Sequence, residues 1–228
     1  ENFNSGLGSF TMTTTGSANT EWTPQPDGYT YTFFAPFHSN DNSAFVLANS
    51  DAGGSPSTTN TQLISPVIDM RGFTNATLSF WHHYNRNTTE SATVEYSTNG
   101  GTSWTILQTY TSDQGGVANF SNANLTIPVS ALGQNFRIRF NYTGDFDWFW
   151  AIDNVSITGT FAPVWTPAAG LFTDAGAATP YIAGEGRTTV WARTNVTTVF
   201  TATSDPGGGC AKSATSTYTV IAAPVVSV

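Results

Sequence analysis

Phe136-Arg137-Ile138-Arg139-Phe140 alternates apolar and cationic residues without a break. A period of two marks a β-strand, whose successive side chains point to opposite faces. Phe136, Ile138 and Phe140 therefore face a core, and Arg137 and Arg139 face outward. Upstream, Ser97-Thr98-Asn99-Gly100-Gly101-Thr102-Ser103-Trp104 is the clearest turn. Asn-Gly accepts the positive φ that a tight hairpin demands, so strands over 92–97 and 104–110 are predicted to pair antiparallel. Similar runs of β-branched and aromatic residues predict strands over 29–34, 43–49, 63–69, 76–84, 125–129, 136–142 and 150–157. Gly, Asn, Ser, Asp or Pro clusters separate most of them. Many short strands of this kind predict an all-β sandwich or barrel.

Composition agrees with that pattern. The chain has 228 residues, with 14% aromatic and 10% charged residues, and Lys212 is its only lysine. Thr is about one residue in six. Thr and aromatics favour strands, whereas the helix formers Lys, Glu and Leu are scarce, which excludes a helical bundle. The length suits one large domain or two small ones and buries a core without disulfide or metal staples. Fifteen acidic residues stand against seven basic ones. Such a chain has no electrostatic reason to bind nucleic acid or an anionic membrane surface. No apolar run approaches the ~20 residues that span a bilayer.

Cys210 is the single cysteine, so no internal disulfide forms. Few cysteines suit either a reducing compartment or a bacterial surface protein. Glu1-Asn2-Phe3-Asn4 lacks the charged and apolar regions of a signal peptide. The last residues, Ala223-Pro224-Val225-Val226-Ser227-Val228, read like the start of a linker or a further strand. A piece of a longer multidomain chain is the expectation.

A boundary is expected near Gly159–Pro163, giving domains over 1–160 and 161–228. The second part again reads as strands, over 181–183, 188–193, 197–203 and 214–221. Pro206-Gly207-Gly208-Gly209 makes a hairpin tip between the last two. Its proportions are those of a small immunoglobulin-like β-sandwich.

Several ordered segments carry a family resemblance. Asn42-Ser43-Ala44-Phe45-Val46-Leu47-Ala48-Asn49-Ser50-Asp51 is followed by Leu63-Ile64-Ser65-Pro66-Val67-Ile68-Asp69 and Ala76-Thr77-Leu78-Ser79-Phe80. Then come Val94-Glu95-Tyr96 with the Asn-Gly turn, Phe136–Phe140, and Trp148-Phe149-Trp150-Ala151-Ile152-Asp153-Asn154-Val155. Together with the opening Glu1-Asn2-Phe3, they resemble the MAM-like jelly-roll modules of bacterial secreted proteins, of the cleaved-adhesin or choice-of-anchor type. The resemblance covers most of residues 1–159. Val164-Trp165-Thr166-Pro167-Ala168-Ala169-Gly170-Leu171, Tyr181 and the terminal strand resemble immunoglobulin-like repeats of large bacterial surface adhesins of the type 9 secretion route. The resemblance implies an extracellular or cell-surface location. Ser97–Trp104 also resembles the Asp-box turn of sialidases, with Asn99 in place of the Asp, and a single copy reads as a hairpin.

The resemblance implies a structural calcium near the chain start, beside the last strand of the jelly roll. Calcium takes six to eight hard oxygens. Glu1, Asp51 and Asp153 are the acids within the matching motifs, with Asp41 and Asn42 as substitutes. Asp153 stands out on physical grounds too: it shares a strand face with Ala151 and Val155, and an acid there needs a partner. A strand-edge cap, or a pair with Arg137 or Arg139, is the competing expectation.

Alternation places Trp148 and Trp150 on one face and Phe149 on the other, with Asp147 adjacent and Trp81 and Tyr84 on another strand. An indole face can take the C–H side of a sugar while Asp147, Asp145 or Asn141 bonds its hydroxyls. Aromatics more often build cores, so burial of both indoles is the commoner alternative. His82 and His83 point to opposite faces and cannot share one metal ion.

Catalysis lacks support. The Gly-x-Ser-x-Gly and His-Glu-x-x-His motifs are absent. Glu95 is the only acid in a central strand and reads as a solvated residue, and Cys210 reads as an inert thiol. The expectation is a non-catalytic adhesin fragment whose jelly roll binds a surface glycan or protein, with the second domain as stalk. An accessory region of a secreted hydrolase and a purely structural spacer are the alternatives.

Overall fold

The computed structural model describes residues 1–87, 90–204 and 212–221. The chain divides into two compact units. Unit 1 comprises Glu1–Met70 and Ala76–Thr158; unit 2 comprises Arg71–Asn75 and the described residues from Gly159 onward.

Unit 1 is a sandwich of two five-stranded sheets. Its strands are β1 (Thr11–Thr14), β2 (Thr23–Gln25), β3 (Phe45–Asn49), β4 (Thr59–Ile64), β5 (Phe73–Asn85), β6 (Ser91–Ser97), β7 (Thr105–Tyr110), β8 (Ser121–Ile127), β9 (Arg137–Gly144) and β10 (Phe149–Phe161). One sheet runs β1-β4-β9-β6-β7 and the other β2-β3-β10-β5-β8. Sequence neighbours are mostly not sheet neighbours, and the chain crosses repeatedly between the two sheets, as in a jelly roll. The expected hairpin is present: β6 pairs antiparallel with β7, with a register shift between Val94 and Glu95. Gly100 and Gly101 hold the turn at φ +72° and +100°.

The interior follows the alternation read from β9. Phe136, Ile138 and Phe140 are buried. On β5, Ala76, Leu78, Phe80, His82 and Tyr84 point in, while Thr77, Ser79 and Trp81 are partly exposed. Trp150 lies at the centre. Its ring meets those of Trp22, His82, Tyr84, Tyr110, Phe140 and Tyr142 at centroid distances of 5.6–6.5 Å. A second apolar cluster of Phe37, Phe45, Leu47, Phe120, Phe149 and Ala151 draws in Tyr29, Tyr31 and Phe34.

That second cluster explains one failed expectation. Residues 29–34 form no strand; Tyr29 makes an isolated bridge to Phe37 and the rest is irregular, with a turn at Thr32 and Phe33. Their aromatic content suits a strand, but burying the rings on the cluster overrides the local preference. β1 and β2 were not legible, because Thr11–Thr14 and Thr23–Gln25 lack an apolar alternation.

Unit 2 contains β11 (Val164–Thr166), β12 (Leu171–Phe172), β13 (Trp191–Ala192), β14 (Thr198–Ser204) and β15 (Lys212–Tyr218). These form a three-stranded sheet, β11-β14-β15, and a two-stranded one, β12-β13. Leu171, Tyr181 and Phe200 make its core. Tyr181–Ala183 is not a strand. The Tyr181 hydroxyl instead takes the Trp165 N–H at 3.0 Å and donates to the Glu185 carbonyl, fastening a loop. Arg71–Asn75 belongs here because Gly72 accepts the Ala162 N–H at 2.7 Å, Asn75 accepts the Thr160 N–H at 3.1 Å, and Phe73 packs on Phe161. The Pro206–Gly209 tip and Cys210 lie outside the described residues.

Candidate functional site

Trp148 and Trp150 part company in the structure. Trp150 is wholly buried and donates its indole N–H to His82 Nδ1 at 3.2 Å. It is a core residue and not a ligand contact. Trp148 precedes β10 and so escapes the strand's alternation. It joins the cluster that contains Phe149, the reverse of the expected face assignment.

Around Trp148 the chain builds an aromatic rim. Phe33 stacks on Phe34 at 4.9 Å, and both rings meet Trp148 edge-on, at 5.7 and 5.2 Å. Phe34 reaches down to Phe149 at 5.0 Å. Thr32 adopts a left-handed φ of +49°, a costly conformation for a β-branched residue, immediately before Phe33. Phe33 is 78% exposed. An apolar ring held that far into solvent is the informative kind of exposure.

The rim stands on a fixed base. The Asp147 N–H donates to Ser50 Oγ at 3.1 Å, and the Ser50 N–H donates to the Trp148 carbonyl at 2.9 Å. Asp147 is 3% exposed and turns inward, where it accepts the Asp145 N–H. It is therefore no sugar-facing acid. Glu90, 4% exposed, faces it across Gly144. Burial pushes the Glu90 carboxyl up, and Asp147 adds to this. Asp51 is partly exposed; burial raises its carboxyl and Asp147 raises it further.

The three acids expected to share a metal each have partners of their own. The Glu1 carboxylate accepts the N–H groups of Phe3 at 3.3 Å and Ser9 at 3.2 Å. Gly8, at φ +58°, leaves room for it, since a Cβ there would stand 1.9 Å from Glu1 Oε2. Asp51 lies beside Asp147. Asp153 is fully buried with neither Arg137 nor Arg139 against it, because Arg139 is bound to Glu95. Among the described residues, no group of three or more His, Cys, Asp or Glu could hold a metal ion.

Asp41 is the acid that does approach Asp153. Asp41 accepts from Ser39 Oγ at 3.0 Å, the Ser43 N–H at 3.2 Å and Asn154 Nδ2 at 2.9 Å. Asp153 accepts the Asn154 N–H at 2.7 Å and Ser43 Oγ at 3.3 Å. Asn42 and Asn154 both sit at left-handed φ, +56° and +51°, which turns the backbone around the two carboxylates. Hydrogen bonds from Ser43 and Asn154 hold Asp41 below the usual carboxylate range. Burial pushes Asp153 up to about 6. Asp153, Asp41 and the Asn40 amide oxygen form a set of hard oxygens of the kind calcium prefers.

Glu95 is not solvated. Arg139 donates to it twice, at 2.9 and 2.6 Å, while Thr93 and Asn141 complete its shell at 2.8 and 3.2 Å. Arg139 also lies over the Trp104 ring at 4.5 Å. Every arm of this acid is occupied by structure. His82 and His83 point to opposite faces, as expected. His83 Nδ1 donates to the Gln114 carbonyl at 3.0 Å.

Comparison with known proteins bears on unit 1. The Reelin subrepeat B family matches residues 57–158. The K1 cleaved adhesin domain of Lys-gingipain from Porphyromonas gingivalis superposes with a TM-score of 0.52 at 17% identity, covering 70% of this chain and 96% of that domain. The K3 cleaved adhesin domain of the same protein gives 0.52 at 19% identity, covering 70% and 97%. This likeness shows the fold. Unit 1 has the jelly-roll architecture of a cleaved adhesin domain, which meets that part of the expected resemblance. No curated protein matches the chain. Among the described residues, no helix is long and apolar enough to cross a membrane.

Proposed function

We propose that unit 1 is the non-catalytic, ligand-binding head of an extracellular or cell-surface adhesin, and that unit 2 is its immunoglobulin-like stalk. The rim carries this reading: Phe33 stands in solvent on a rigid aromatic stack with Phe34 and Trp148. Folding gains nothing from Phe33's exposed surface, whereas burying it against a ligand would recover ~25 cal/mol per Å². Flat aromatic faces suit the C–H side of a glycan or an apolar patch on a protein. The low charge and the single lysine weaken non-specific adhesion.

Calcium belongs to this proposal as a structural ion at Asp153 and Asp41. A fully buried carboxylate with no cationic side chain against it supports the placement. When bound, the ion would neutralise the two acids; Asn154 and Ser43 already hold both side chains in place.

The test is an array of immobilised glycans and extracellular proteins, probed with the whole chain in calcium and in EDTA. The Phe33→Ser, Trp148→Ala double variant is the control. Selective capture that the double variant loses supports the head assignment. Equal capture by the double variant removes the rim from the account.

A further inference from the structure

We propose that a second cleft of unit 1, beside Trp81 on the outward face of β5, binds a neutral saccharide. It is separate from the rim: none of Phe33, Phe34 and Trp148 lines it. The cleft has a volume of about 560 Å³, and Trp81, Ser79, Asn2, Asn154 and Ser156 line it together with Glu1 and the apolar Val155.

The strands explain how the cleft arises. Over the other part of this outward face lies the cluster of Phe37, Phe45, Phe120 and Phe149. Trp81 packs against the margin of that cluster yet stays partly exposed. Beyond it the face turns polar. Trp81 pairs with Asn122 and Ser79 with Asn124 across the β5–β8 ladder.

The polar groups are oriented before any ligand arrives. Ser79 Oγ accepts from Asn122 Nδ2 at 3.2 Å, a bond from a neighbouring side chain that does not itself line the cleft. Asn154 is held by Asn40 and Asp41 at 3.1 and 2.9 Å. Asn2 accepts the Asn4 N–H at 3.3 Å. A fixed amide array loses little entropy on binding and offers both donors and acceptors, which is what vicinal hydroxyls need.

Charge selects the class of ligand. No Lys, Arg or His side chain lines the cleft, and the Glu1 amino group is spent on the Val155 carbonyl, so phosphates, sulfates and uronates find no side-chain counter-charge. Its one ionisable side chain, Glu1, is committed to the backbone of Phe3 and Ser9. An apolar ligand would strand the amides, with their hydrogen bonds unmade. A sugar ring satisfies both sides, with its C–H face on Trp81 and its hydroxyls on the amides and on Ser79 and Ser156.

The experiment uses the whole chain on an array that carries neutral and acidic oligosaccharides. Hits are titrated by tryptophan fluorescence against Trp81→Ala, Trp81→Phe, Ser79→Val and Trp148→Ala, each first checked by near-ultraviolet circular dichroism. Neutral oligosaccharides should bind and sialylated or uronate-rich ones should not. Trp81→Ala should weaken binding about tenfold or more, Trp81→Phe less, and Trp148→Ala not at all. If Trp81→Ala is misfolded, Ser79→Val decides and should show a comparable loss. No neutral saccharide bound by the folded chain overturns the proposal and leaves the rim free to take a protein. Binding that survives Trp81→Ala but is lost in Trp148→Ala also overturns it, while supporting the rim.

Discussion

Trp150 donates its indole N–H to His82 Nδ1 at 3.2 Å, and both side chains are buried between the sheets. The bond assigns the imidazole tautomer: Nδ1 accepts, so the proton sits on Nε2. It also decides the role of Trp150, whose N–H has a partner inside the core. Trp150→Ala should cost about 3–5 kcal/mol, the range for emptying a buried aromatic site. Trp150→Phe should cost less, since it leaves His82 without its donor but keeps most of the ring. Urea denaturation read by circular dichroism checks both. A loss below about 1 kcal/mol for Trp150→Ala would contradict the central placement.

His82 makes stability depend on pH. Burial, with His83 adding, lowers its pKa from 6.5 to about 3. The unfolded chain takes up a proton as pH falls through 6.5, and the fold does not do so until about 3. Stability contributed by the neutral ring is therefore present above 6.5 and lost progressively between 6.5 and 3, by up to ~1 kcal/mol per pH unit. His82→Gln keeps an acceptor for the Trp150 N–H and should flatten this limb. An unchanged slope in Gln, measured by thermal melts from pH 7 to 4, would contradict the assignment.

Asp153 acts in the opposite sense. Its folded pKa of about 6 lies above the ordinary aspartate value of 3.8, so the fold holds the extra proton between those two pH values. That contribution is fully present below 3.8 and lost as pH rises through 6. Without a cation, Asp153→Asn should therefore raise Tm at pH 7. Under the calcium proposal, added calcium stabilises the wild type by mass action and the Asn variant much less. A calcium-induced rise of equal size in both proteins would remove Asp153 from the ion's shell.

Glu95 and Arg139 form a largely buried pair on the outward face of the β1-β4-β9-β6-β7 sheet. Removing one partner leaves the other as an uncompensated charge. Glu95→Ala or Arg139→Ala alone should each cost about 3 kcal/mol, and the double change should cost less than the sum. A double-mutant cycle by urea denaturation supplies the test; strict additivity would mean that the pair contributes nothing.

How much could be read ahead depended on whether local chemistry and tertiary position agreed. On β9 they agreed: Phe136, Ile138 and Phe140 are buried as their alternation required. The Asn99-Gly100 turn likewise carries its own backbone reason. Trp148 defeated the same rule because the strand starts one residue after it, at Phe149, and parity has no meaning outside a strand. Phe33 and Phe34 joined the site from a segment that reads as a strand, and only the fold brings them to Trp148. Thr32-Phe33-Phe34 could have raised suspicion, since two adjacent phenylalanines cannot both face one core from a strand. The meeting of Asp41 with Asp153 is separated by more than a hundred residues, and its sole local signs are Asn42 and Asn154, residues that tolerate left-handed φ.

The central claim is that ligand meets unit 1 at Trp148 while Trp150 stays inside. Nuclear magnetic resonance of the seven indole N–H groups, followed as the best ligand from the array is added, tests it most directly. The account predicts that the Trp148 resonance shifts with saturation while those of Trp22 and Trp150 hold still. A ligand that binds without moving the Trp81 resonance, and leaves the Trp148 resonance unmoved as well, would contradict it.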